Sequence, residues 1–313
     1  PNVGRNYKDI WRLNGKEYPS SQHGFARDSD FICTDITDTS LSFVLKSSEE
    51  TLNVYPFAFA LKITYTLKKH DLEVCWEVVN NDSETMYFTI GGHPAFRVPV
   101  REGESQSDYR LAFEGLDTLT YLLIDTSVGT VLADEPHTLS LENGTCSIAP
   151  HMFDKDALVF DNGQIQKAGI LFPDGTPYLT LTSEGFPNFG IWSVPGAPFV
   201  CLEPWMGRCD DCGFEKPLSE KANINVLKPD EEFIKSYRTL SYDKKDPPYI
   251  GFFSCLYDGS FYLSYCLNTL LFSHKMILIS SVLPKLCRKR HSTMHQSSSG
   301  IDPAGSLFLI KCT

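Results

Sequence analysis

Residues 59–80, FALKITYTLKKHDLEVCWEVVN, decide the fold class of this chain because apolar and polar side chains alternate along them in two successive runs. An alternation with a period of two places one kind of side chain on each face of an extended strand. Only the short polar stretch KKHD separates the runs, and such a connection is typical of a hairpin. The stretch therefore predicts two half-buried antiparallel strands joined in a hairpin.

Turn signals recur between other apolar stretches. Asn143-Gly144, in LSLENGTCSIA, is the dipeptide that most strongly indicates a tight hairpin turn. Pro195-Gly196 predicts that FGIWSVPGAPFVCLEPW folds back on itself, and Pro229-Asp230 predicts a turn in INVLKPDEEFIKSYRTL. No amphipathic helix of about ten or more residues is indicated. Strands separated by turns predict an all-β domain, either a sandwich or a barrel.

The charge distribution divides the chain in two. The 313 residues carry a formal net charge of -11, which argues against nucleic acid or an anionic membrane as the main partner. Residues 1–246 hold 22 basic and 37 acidic side chains, whereas residues 247–313 hold six basic and two acidic ones. This boundary predicts a folded domain over residues 1–246 and an unrelated tail over residues 247–313, which is either disordered or an artefact of the gene model.

The tail contains a mostly apolar segment, FYLSYCLNTLLFSHKMILISSVL at residues 261–283, and the basic stretch KLCRKRH lies just beyond it. A membrane span with positive flanking charge is one interpretation. Asn268, His274 and Lys275 inside the segment argue against it, the lysine alone costing about 2.5–3.5 kcal/mol at a helix centre. The favoured interpretation is that the tail lies outside the functional domain and that a membrane is not a partner.

The ten cysteines follow no regular framework, and the chain starts without a signal-like apolar stretch. Both features predict reduced thiols and a cytoplasmic location. Cys209 and Cys212 have the C-x-x-C spacing of a zinc half-site, but no second pair accompanies them and Asp210-Asp211 fill the gap. No metal site is therefore predicted at that pair.

Three short stretches interrupt the strand pattern, and each contains a titratable side chain: His23 in PSSQHGFARDSDF, His93 in IGGHPAF and Glu203 in FVCLEPWMGRCDD. Before His93, Gly91 and Gly92 permit a close backbone approach or a positive φ, and the proline after it fixes the exit of the chain. Glu203 follows the apolar run FVCL, so its carboxylate is predicted to be half-buried and to need a partner or a function.

Other interpretations of these residues stay open on composition alone. A histidine at a turn is more often a structural residue than a catalyst, and Glu203 is also placed to hold an arginine such as Arg208. His23, His93 and Glu203 together are in addition the ligand set of a metal site with two histidines and one carboxylate. Residue types do not decide between metal-dependent and metal-free chemistry.

The motifs QHGFARDSDF, GGHPAF and FGIWSVPGAPFVCLEPWMGRCDD, together with PNVGR at the start, resemble those of the aldose 1-epimerase (galactose mutarotase-like) family, most of all its LacX-like branch. They follow the family's order over residues 1–242. The resemblance implies a galactose mutarotase-type β-sandwich (supersandwich) with a sugar cleft on a concave sheet. It also implies that the strands preceding PNVGR in the family are missing at the N-terminus, and that the tail has no counterpart in the family.

The resemblance further implies an isomerase that interconverts the α and β anomers of a free aldose without a cofactor or a metal. Carried over by motif, Glu203 is the catalytic base that takes the proton of the C1 hydroxyl, and His93 is the catalytic acid that protonates the ring oxygen. Arg5, His23 and Asp156 are placed in substrate binding. A carboxyl and an imidazole with ordinary pKa values of about 4.3 and 6.5 suit these two proton transfers. Because two charged imidazoles in one cleft are unfavourable, His23 is expected to be neutral.

The expected partner is thus a small aldose, and no oligomeric state is predicted. Three alternatives remain besides an inactive truncated product: a carbohydrate-binding protein without turnover, a metal-dependent sugar enzyme, and a hexose-6-phosphate 1-epimerase, for which Arg5 and Arg27 supply positive charge. The presence of both His93 and Glu203 favours an enzyme, because binding alone needs no acid–base pair. Trp205 is expected either to stack on the sugar or to belong to the core.

Overall fold

The computed structural model describes residues 2–242 and 250–251 of the chain. In this part of the chain lie one α-helix, α1 (Glu49–Val54), and short 3-10 helices at Tyr7–Asp9, Phe25–Asp28, Gln106–Asp108 and Leu218–Glu220. The strands are β1 (Ile10–Leu13), β2 (Lys16–Pro19), β3 (Ile32–Ile36), β4 (Ser40–Lys46), β5 (Phe59–Lys68), β6 (Asp71–Asn80), β7 (Met86–Phe88), β8 (Ile90–Gly91), β9 (Ala95–Arg97), β10 (Arg110–Phe113), β11 (Thr118–Tyr121), β12 (Ile124–Asp125), β13 (Thr130–Val131), β14 (His137–Ser140), β15 (Thr145–Ser147), β16 (Leu158–Phe160), β17 (Lys167–Leu171), β18 (Pro177–Thr182), β19 (Asn188–Trp192), β20 (Phe199–Met206), β21 (Asn225–Leu227), β22 (Glu232–Ser241) and β23 (Ile250–Gly251).

Most strands belong to two antiparallel sheets. A 9-stranded sheet has the order β15-β10-β17-β18-β22-β6-β5-β4-β3, and a 6-stranded sheet has the order β16-β19-β20-β9-β23, with β8 also pairing with β20. Two-stranded ribbons are formed by β1-β2, β11-β14, β12-β13 and β21-β7. A large hydrophobic core joins the sheets, with Leu61 and Trp76 contributed by the first and Phe96 and Leu202 by the second. The predicted all-β sandwich is confirmed.

The hairpin predicted at residues 59–80 forms as expected. β5 and β6 pair along their whole length, from Phe59 opposite Asn80 to Lys68 opposite Asp71. Along β6 the residues alternate strictly between half-buried and buried, which is the period that its sequence shows. The buried side chains lie on the core side of the 9-stranded sheet, so the alternation sets which face of this hairpin packs inward.

The Asn143-Gly144 turn is present, but the hairpin expected around it is not. Both residues have positive φ, 50° and 73°, and Glu142 and Thr145 exchange hydrogen bonds across the turn. Beyond that bridge the two flanking strands separate: β14 pairs with β11, and β15 pairs with β10. A tight turn sets only the local reversal of the chain. Here β14 forms a two-stranded ribbon with β11, and β15 forms an edge of the 9-stranded sheet. By contrast, β19 and β20 do pair across Pro195-Gly196, as predicted.

The chain meets the 6-stranded sheet once more beyond the predicted domain boundary. Ile250 and Gly251 form β23 and pair with Phe96 and Ala95 of β9. The rest of residues 247–313, including the apolar segment 261–283, lies outside the described residues, so the boundary after residue 246 stays a prediction. Among the helices of the described residues, none has the length and apolar character needed to cross a membrane. The cytoplasmic location likewise stays a prediction.

Candidate active site

The register of β20 brings His93 and Glu203 together at the centre of the 6-stranded sheet. Gly91 of β8 lies opposite Trp205, and Ala95 of β9 lies opposite Cys201. The same register carried through the residues between β8 and β9 places His93 directly opposite Glu203. Opposing residues of an antiparallel pair are the nearest cross-strand neighbours, so the two motifs GGHPAF and FVCLEPW meet because of strand pairing.

Backbone hydrogen bonds continue across this gap, but each rung has only one. The Gly92 N–H donates to the Pro204 carbonyl (3.0 Å), and the Leu202 N–H donates to the Pro94 carbonyl (3.4 Å). The reciprocal bonds are absent because Pro94 and Pro204 have no N–H. The ladder around His93 is therefore held by half of its usual hydrogen bonds.

The two glycines before His93 are required by close packing. Neither has a positive φ, so the left-handed option considered from the sequence is wrong. A Cβ at Gly91 would lie 2.4 Å from Trp205 Cδ1, and a Cβ at Gly92 would lie 2.9 Å from the Tyr237 ring. Both side chains thus occupy the space beside the backbone that leads into His93, and this packing fixes where the imidazole begins.

The side chain of Glu203 is buried, that of His93 is largely buried, and the two are almost in contact. His93 Nδ1 lies 3.5 Å from Glu203 Oε1, and the side chains are 13% and 3% exposed. His93 Nδ1 is buried and makes no hydrogen bond, since its separation from the carboxylate exceeds an ordinary hydrogen-bond length. The Trp192 indole makes a T-shaped contact with the imidazole, with 5.6 Å between ring centroids. The pair is therefore enclosed, with one ring nitrogen of the histidine facing the carboxylate.

Burial disfavours a charge on either member of this pair. It raises the pKa of Glu203 well above its ordinary value, and the negative charge of Asp156 adds to that rise, while a hydrogen bond from the Trp205 side chain opposes it. Burial also lowers the pKa of His93 to about 4, helped by the positive charge of Arg27. Burial thus favours the uncharged form of each member, a protonated carboxyl on Glu203 and a neutral ring on His93.

His23 is held beside His93 by the N-terminal segment. Its backbone has φ of 62°, and the Gly4 N–H donates to its Nδ1 (3.2 Å) while its own backbone N–H donates to the Gly4 carbonyl (2.7 Å). An accepting Nδ1 leaves the proton of the neutral ring on Nε2. The ring centroids of His23 and His93 are 5.8 Å apart. Burial, the neighbouring His93 and the positive charges of Arg27 and Arg5 lower the pKa of His23 to about 3, in agreement with the expected neutral ring.

Asp156 lies near the carboxylate of the pair. It has a left-handed backbone, with φ of 73°, and its Oδ1 accepts a hydrogen bond from the Ala157 N–H (2.7 Å). Burial raises the pKa of Asp156, and its charge in turn raises the pKa of Glu203. An acidic side chain is thus available on the Glu203 side of the site.

Arg5 approaches the site from the histidine side. Its carbonyl accepts a hydrogen bond from the Asp210 N–H (3.0 Å), which ties the N-terminal segment to the loop after β20. Its guanidinium pairs with Asp9 (2.8 Å), and its side chain lies against Gly129, where a Cβ would sit 2.5 Å from Arg5 Cδ. Its charge contributes to the lowered pKa of His23. All five predicted site residues, Arg5, His23, His93, Asp156 and Glu203, are therefore brought into one region.

Two alternatives considered from the sequence are wrong. Arg208 pairs with Asp161 (2.9 Å) and Asp211 (2.8 Å), so it does not serve as the partner of Glu203. Trp205 is only 6% exposed, because it packs against Gly91 and Gly190. Trp205 is therefore a core residue beside the Glu203 carboxylate, and neither face of its indole is open to a sugar.

The structure adds two side chains that sequence reasoning did not select. Trp192 of β19 lies opposite Cys201 of β20, and the Cys201 thiol lies in the site. Ligand atoms of His93, Cys201 and Glu203 all lie within 4.8 Å of one another, the one cluster of three or more such groups found in the described part of the chain. A signal was present in the sequence, since Cys201 precedes Glu203 by two residues and strand periodicity places both on one face.

The fold and this site define a β-sandwich protein of the galactose mutarotase type. The chain belongs to the aldose 1-epimerase family, whose model, described as Aldose 1-epimerase, matches residues 4–213. Protein LacX of Lactococcus lactis subsp. lactis is 29% identical over 219 residues, which cover 69% of this chain and 73% of that protein.

Two solved structures share the fold at similar identity. A galactose mutarotase related enzyme from Lactobacillus acidophilus is 31% identical with a TM-score of 0.72, over 79% of this chain and 82% of that chain. A galactose mutarotase-like protein from Lactobacillus casei ATCC 334 is 30% identical with a TM-score of 0.69, over 77% of this chain and 83% of that chain. The family predicted from the motifs is confirmed, and with it the class of sugar epimerases, while the roles of individual residues stay predictions.

Proposed function

We propose that this protein is an aldose 1-epimerase that interconverts the α and β anomers of a free aldose, using Glu203 and His93 as its acid–base pair and no cofactor. One observation carries the proposal: a buried carboxylate and a buried imidazole oppose each other across two strands, with 3.5 Å between Oε1 and Nδ1. Burying two titratable groups is costly unless they serve each other or a substrate. The pairing suits a reaction in which one proton is taken while another is given.

The proposed reaction opens and recloses the sugar ring. Glu203 takes the proton of the C1 hydroxyl while His93 donates a proton to the ring oxygen, so that the bond from C1 to the ring oxygen breaks and a C1 carbonyl forms. After rotation about the C1–C2 bond, His93 recovers its proton from the C5 hydroxyl, which attacks the other face of C1. Glu203 then returns its proton to the C1 carbonyl oxygen, which becomes the new C1 hydroxyl. Each positioned proton transfer is worth roughly 10²–10⁴ in rate.

The single proton of the pair matches this stoichiometry. The neutral form has the proton on Glu203, and moving it to His93 produces the carboxylate and imidazolium that start the reaction. The charged form needs more hydrogen bonds than the one from Trp205 provides, and sugar hydroxyls are suited to supply them. Bound substrate would in this way convert the resting pair into the reactive one.

His23, Arg5 and Asp156 are proposed to position the sugar. Because the Nδ1 of His23 already accepts from Gly4, its Nε2 is left to donate to the ring oxygen or to a hydroxyl. Asp156 supplies an acceptor on the Glu203 side, and Arg5 supplies donors on the His23 side. The proposed substrate therefore has polar partners on both sides of the acid–base pair.

A free sugar is favoured over a phosphorylated one by the pairing of the nearby cations. Arg5 is engaged by Asp9 at 2.8 Å, and Arg27 lies 3.3 Å from Asp28. A phosphate group needs cationic donors whose charge is not already offset by carboxylates. A hexose-6-phosphate 1-epimerase thus remains the second candidate. A carbohydrate-binding protein without turnover would leave the burial of the pair unexplained.

Polarimetry of freshly dissolved α-D-glucose and α-D-galactose tests the proposal. We expect the protein to accelerate anomer interconversion and a Glu203→Gln variant, which keeps size but cannot accept the proton, to lose at least about 10² of that rate. Glu215→Gln is the matched control, because Glu215 is exposed and pairs with Lys8 on the surface. Acceleration that survives in the Glu203 variant, or absence of acceleration while sugar still binds, would contradict the proposed mechanism.

A further inference from the structure

A thiol shares the centre of the site with the proposed acid–base pair. Cys201 lies two residues before Glu203 on β20 and opposite Ala95 of β9, and it is fully buried. The mechanism above gives it no role. Its sulfur, a ring nitrogen of His93 and a carboxylate oxygen of Glu203 nevertheless fall within 4.8 Å of one another.

The strand geometry explains this grouping. Residues two apart on one strand point to the same face, which aligns Cys201 with Glu203. The cross-strand register adds His93 from the neighbouring chain segment at the same level. Two of the ligand atoms therefore come from β20, and the third comes from the segment between β8 and β9, which is hydrogen-bonded to β20. The spacing of the three atoms is thus set by the pairing within the sheet.

The donor set matches the preferences of zinc. Zn²⁺ binds thiolate sulfur, imidazole nitrogen and carboxylate oxygen at about 2.0–2.3 Å, which separates the ligand atoms by roughly 3.3–3.8 Å in a tetrahedral site. The 3.5 Å between His93 Nδ1 and Glu203 Oε1 falls in that range. A thiolate and a carboxylate also neutralise the two positive charges of the ion, which makes its burial tolerable.

A second observation points to a missing ligand at the same place. His93 Nδ1 is buried and has no hydrogen-bond partner, although it faces the carboxylate. Buried polar atoms of proteins are nearly always satisfied, and each exception calls for a partner such as an ion. The unsatisfied nitrogen is one of the three groups that a metal would contact.

We propose that His93, Cys201 and Glu203 form an inhibitory Zn²⁺ site, in which the ion occupies the acid–base pair and leaves its fourth position open. This set differs from the two histidines and one carboxylate considered from the sequence, because His23 is not a ligand in it. The Nδ1 of His23 accepts a hydrogen bond from the Gly4 N–H, and its Nε2 carries the proton of the neutral ring, so neither nitrogen offers a free lone pair to a metal. Inhibition rests on the proposed function, since a metal-bound Glu203 and His93 cannot exchange protons with a sugar. Binding itself does not depend on that function.

Titration with Co²⁺ alone, as a coloured substitute for Zn²⁺, tests the site directly. We expect one Co²⁺ per chain with a thiolate-to-cobalt charge-transfer band, which added Zn²⁺ displaces. Cys201→Ser should remove the band. The double variant Cys209→Ser/Cys212→Ser should keep it, because those cysteines lie outside the cluster. Absence of the band in the native protein, or its loss in the double variant and survival in Cys201→Ser, would overturn the proposal.

Inhibition gives an independent measurement. Anomer interconversion by the native protein should fall with added Zn²⁺ and recover with a chelator, and Cys201→Ser should raise the inhibitory Zn²⁺ concentration at least about 10-fold. Equal sensitivity of the native protein and Cys201→Ser would contradict the assignment of Cys201 as a ligand. If the protein lacks epimerase activity, the cobalt band still decides whether the site binds metal, so the two proposals fail separately.

Discussion

Protonation of a single residue, His93, reports the state of the whole acid–base pair. NMR titration of its imidazole should give a pKa of about 4, well below the ordinary value of about 6.5, because burial disfavours its charge. Glu203→Gln provides the discriminating variant. If Glu203 is protonated in the native pair, the substitution leaves the His93 pKa nearly unchanged, since glutamine resembles a neutral carboxyl. A marked fall of the His93 pKa in the variant would instead show that Glu203 is ionised and stabilises an imidazolium.

Residue identity in the site was partly predictable from the sequence. Strand periodicity and the glycine pair singled out Glu203 and His93, but only the family resemblance gave them roles. Cys201 was overlooked although a period of two places it on the same face as Glu203. Trp192 was not found, because that period does not show which residues of an opposing strand complete a site. That information depends on the register between strands, which the sequence indicates only where a turn connects them directly.

At the scale of the strand, the glycine of β19 opposite Glu203 sets how the carboxylate is supported. A Cβ at Gly190 would lie 2.3 Å from Trp205 Cζ2. Gly190→Ala should therefore lower the free energy of unfolding by about 1–3 kcal/mol, as overpacked cores do, and displace the indole that hydrogen-bonds Glu203. Urea denaturation measures the loss.

A second variant separates overpacking from other effects of the alanine. Gly190→Ala combined with Trp205→Leu should be more stable than the sum of the two single changes indicates, since the smaller side chain removes the clash. An unchanged urea midpoint in Gly190→Ala, or strict additivity in the double variant, would show that the close approach of Gly190 and Trp205 is not needed.

The elements themselves were the most predictable part of the molecule. The hairpin of β5 and β6 and the reversal between β19 and β20 follow from short turns that leave each strand next to its neighbour in sequence. The Asn143-Gly144 dipeptide also predicted a hairpin, yet β14 and β15 join different partners. Both flanking strands are only three or four residues long, so few ladder bonds hold them together, and pairing with more distant strands prevails.

For the molecule as a whole, two largely buried histidines should make stability depend on pH. The folded-state pKa values of His23 and His93, about 3 and about 4, lie below the ordinary value of about 6.5. Below pH about 6.5 the unfolded chain therefore binds more protons than the folded protein does. The contribution of the two neutral histidines to the free energy of unfolding is complete above that pH, and it is lost as the pH falls toward their folded-state pKa values. Because the pKa of Glu203 is raised in the folded protein, the folded protein binds this proton more readily than the unfolded chain. Glu203 therefore adds stability as the pH falls toward its ordinary range, which offsets part of the loss from the histidines.

The variant His23→Asn isolates one of these contributions. Asparagine tolerates the left-handed backbone of residue 23 and offers an oxygen to the Gly4 N–H. Between pH about 6 and 4, the free energy of unfolding of the native protein should fall more steeply than that of His23→Asn, by about 1.4 kcal/mol per pH unit. Urea melts at several pH values measure both slopes, and equal slopes would show that His23 is not buried as a neutral ring.

The paired prolines beside His93 determine how easily the site can change its width. Pro94 and Pro204 leave one hydrogen bond on each rung that flanks the histidine and the glutamate, so separating the strands there breaks half as many bonds as separating an intact ladder. The gap between imidazole and carboxylate is thus easier to widen than a part of the ladder in which both hydrogen bonds of each rung are present. A sugar ring, or an ion held between the same side chains, can alter that gap while the neighbouring rungs stay closed.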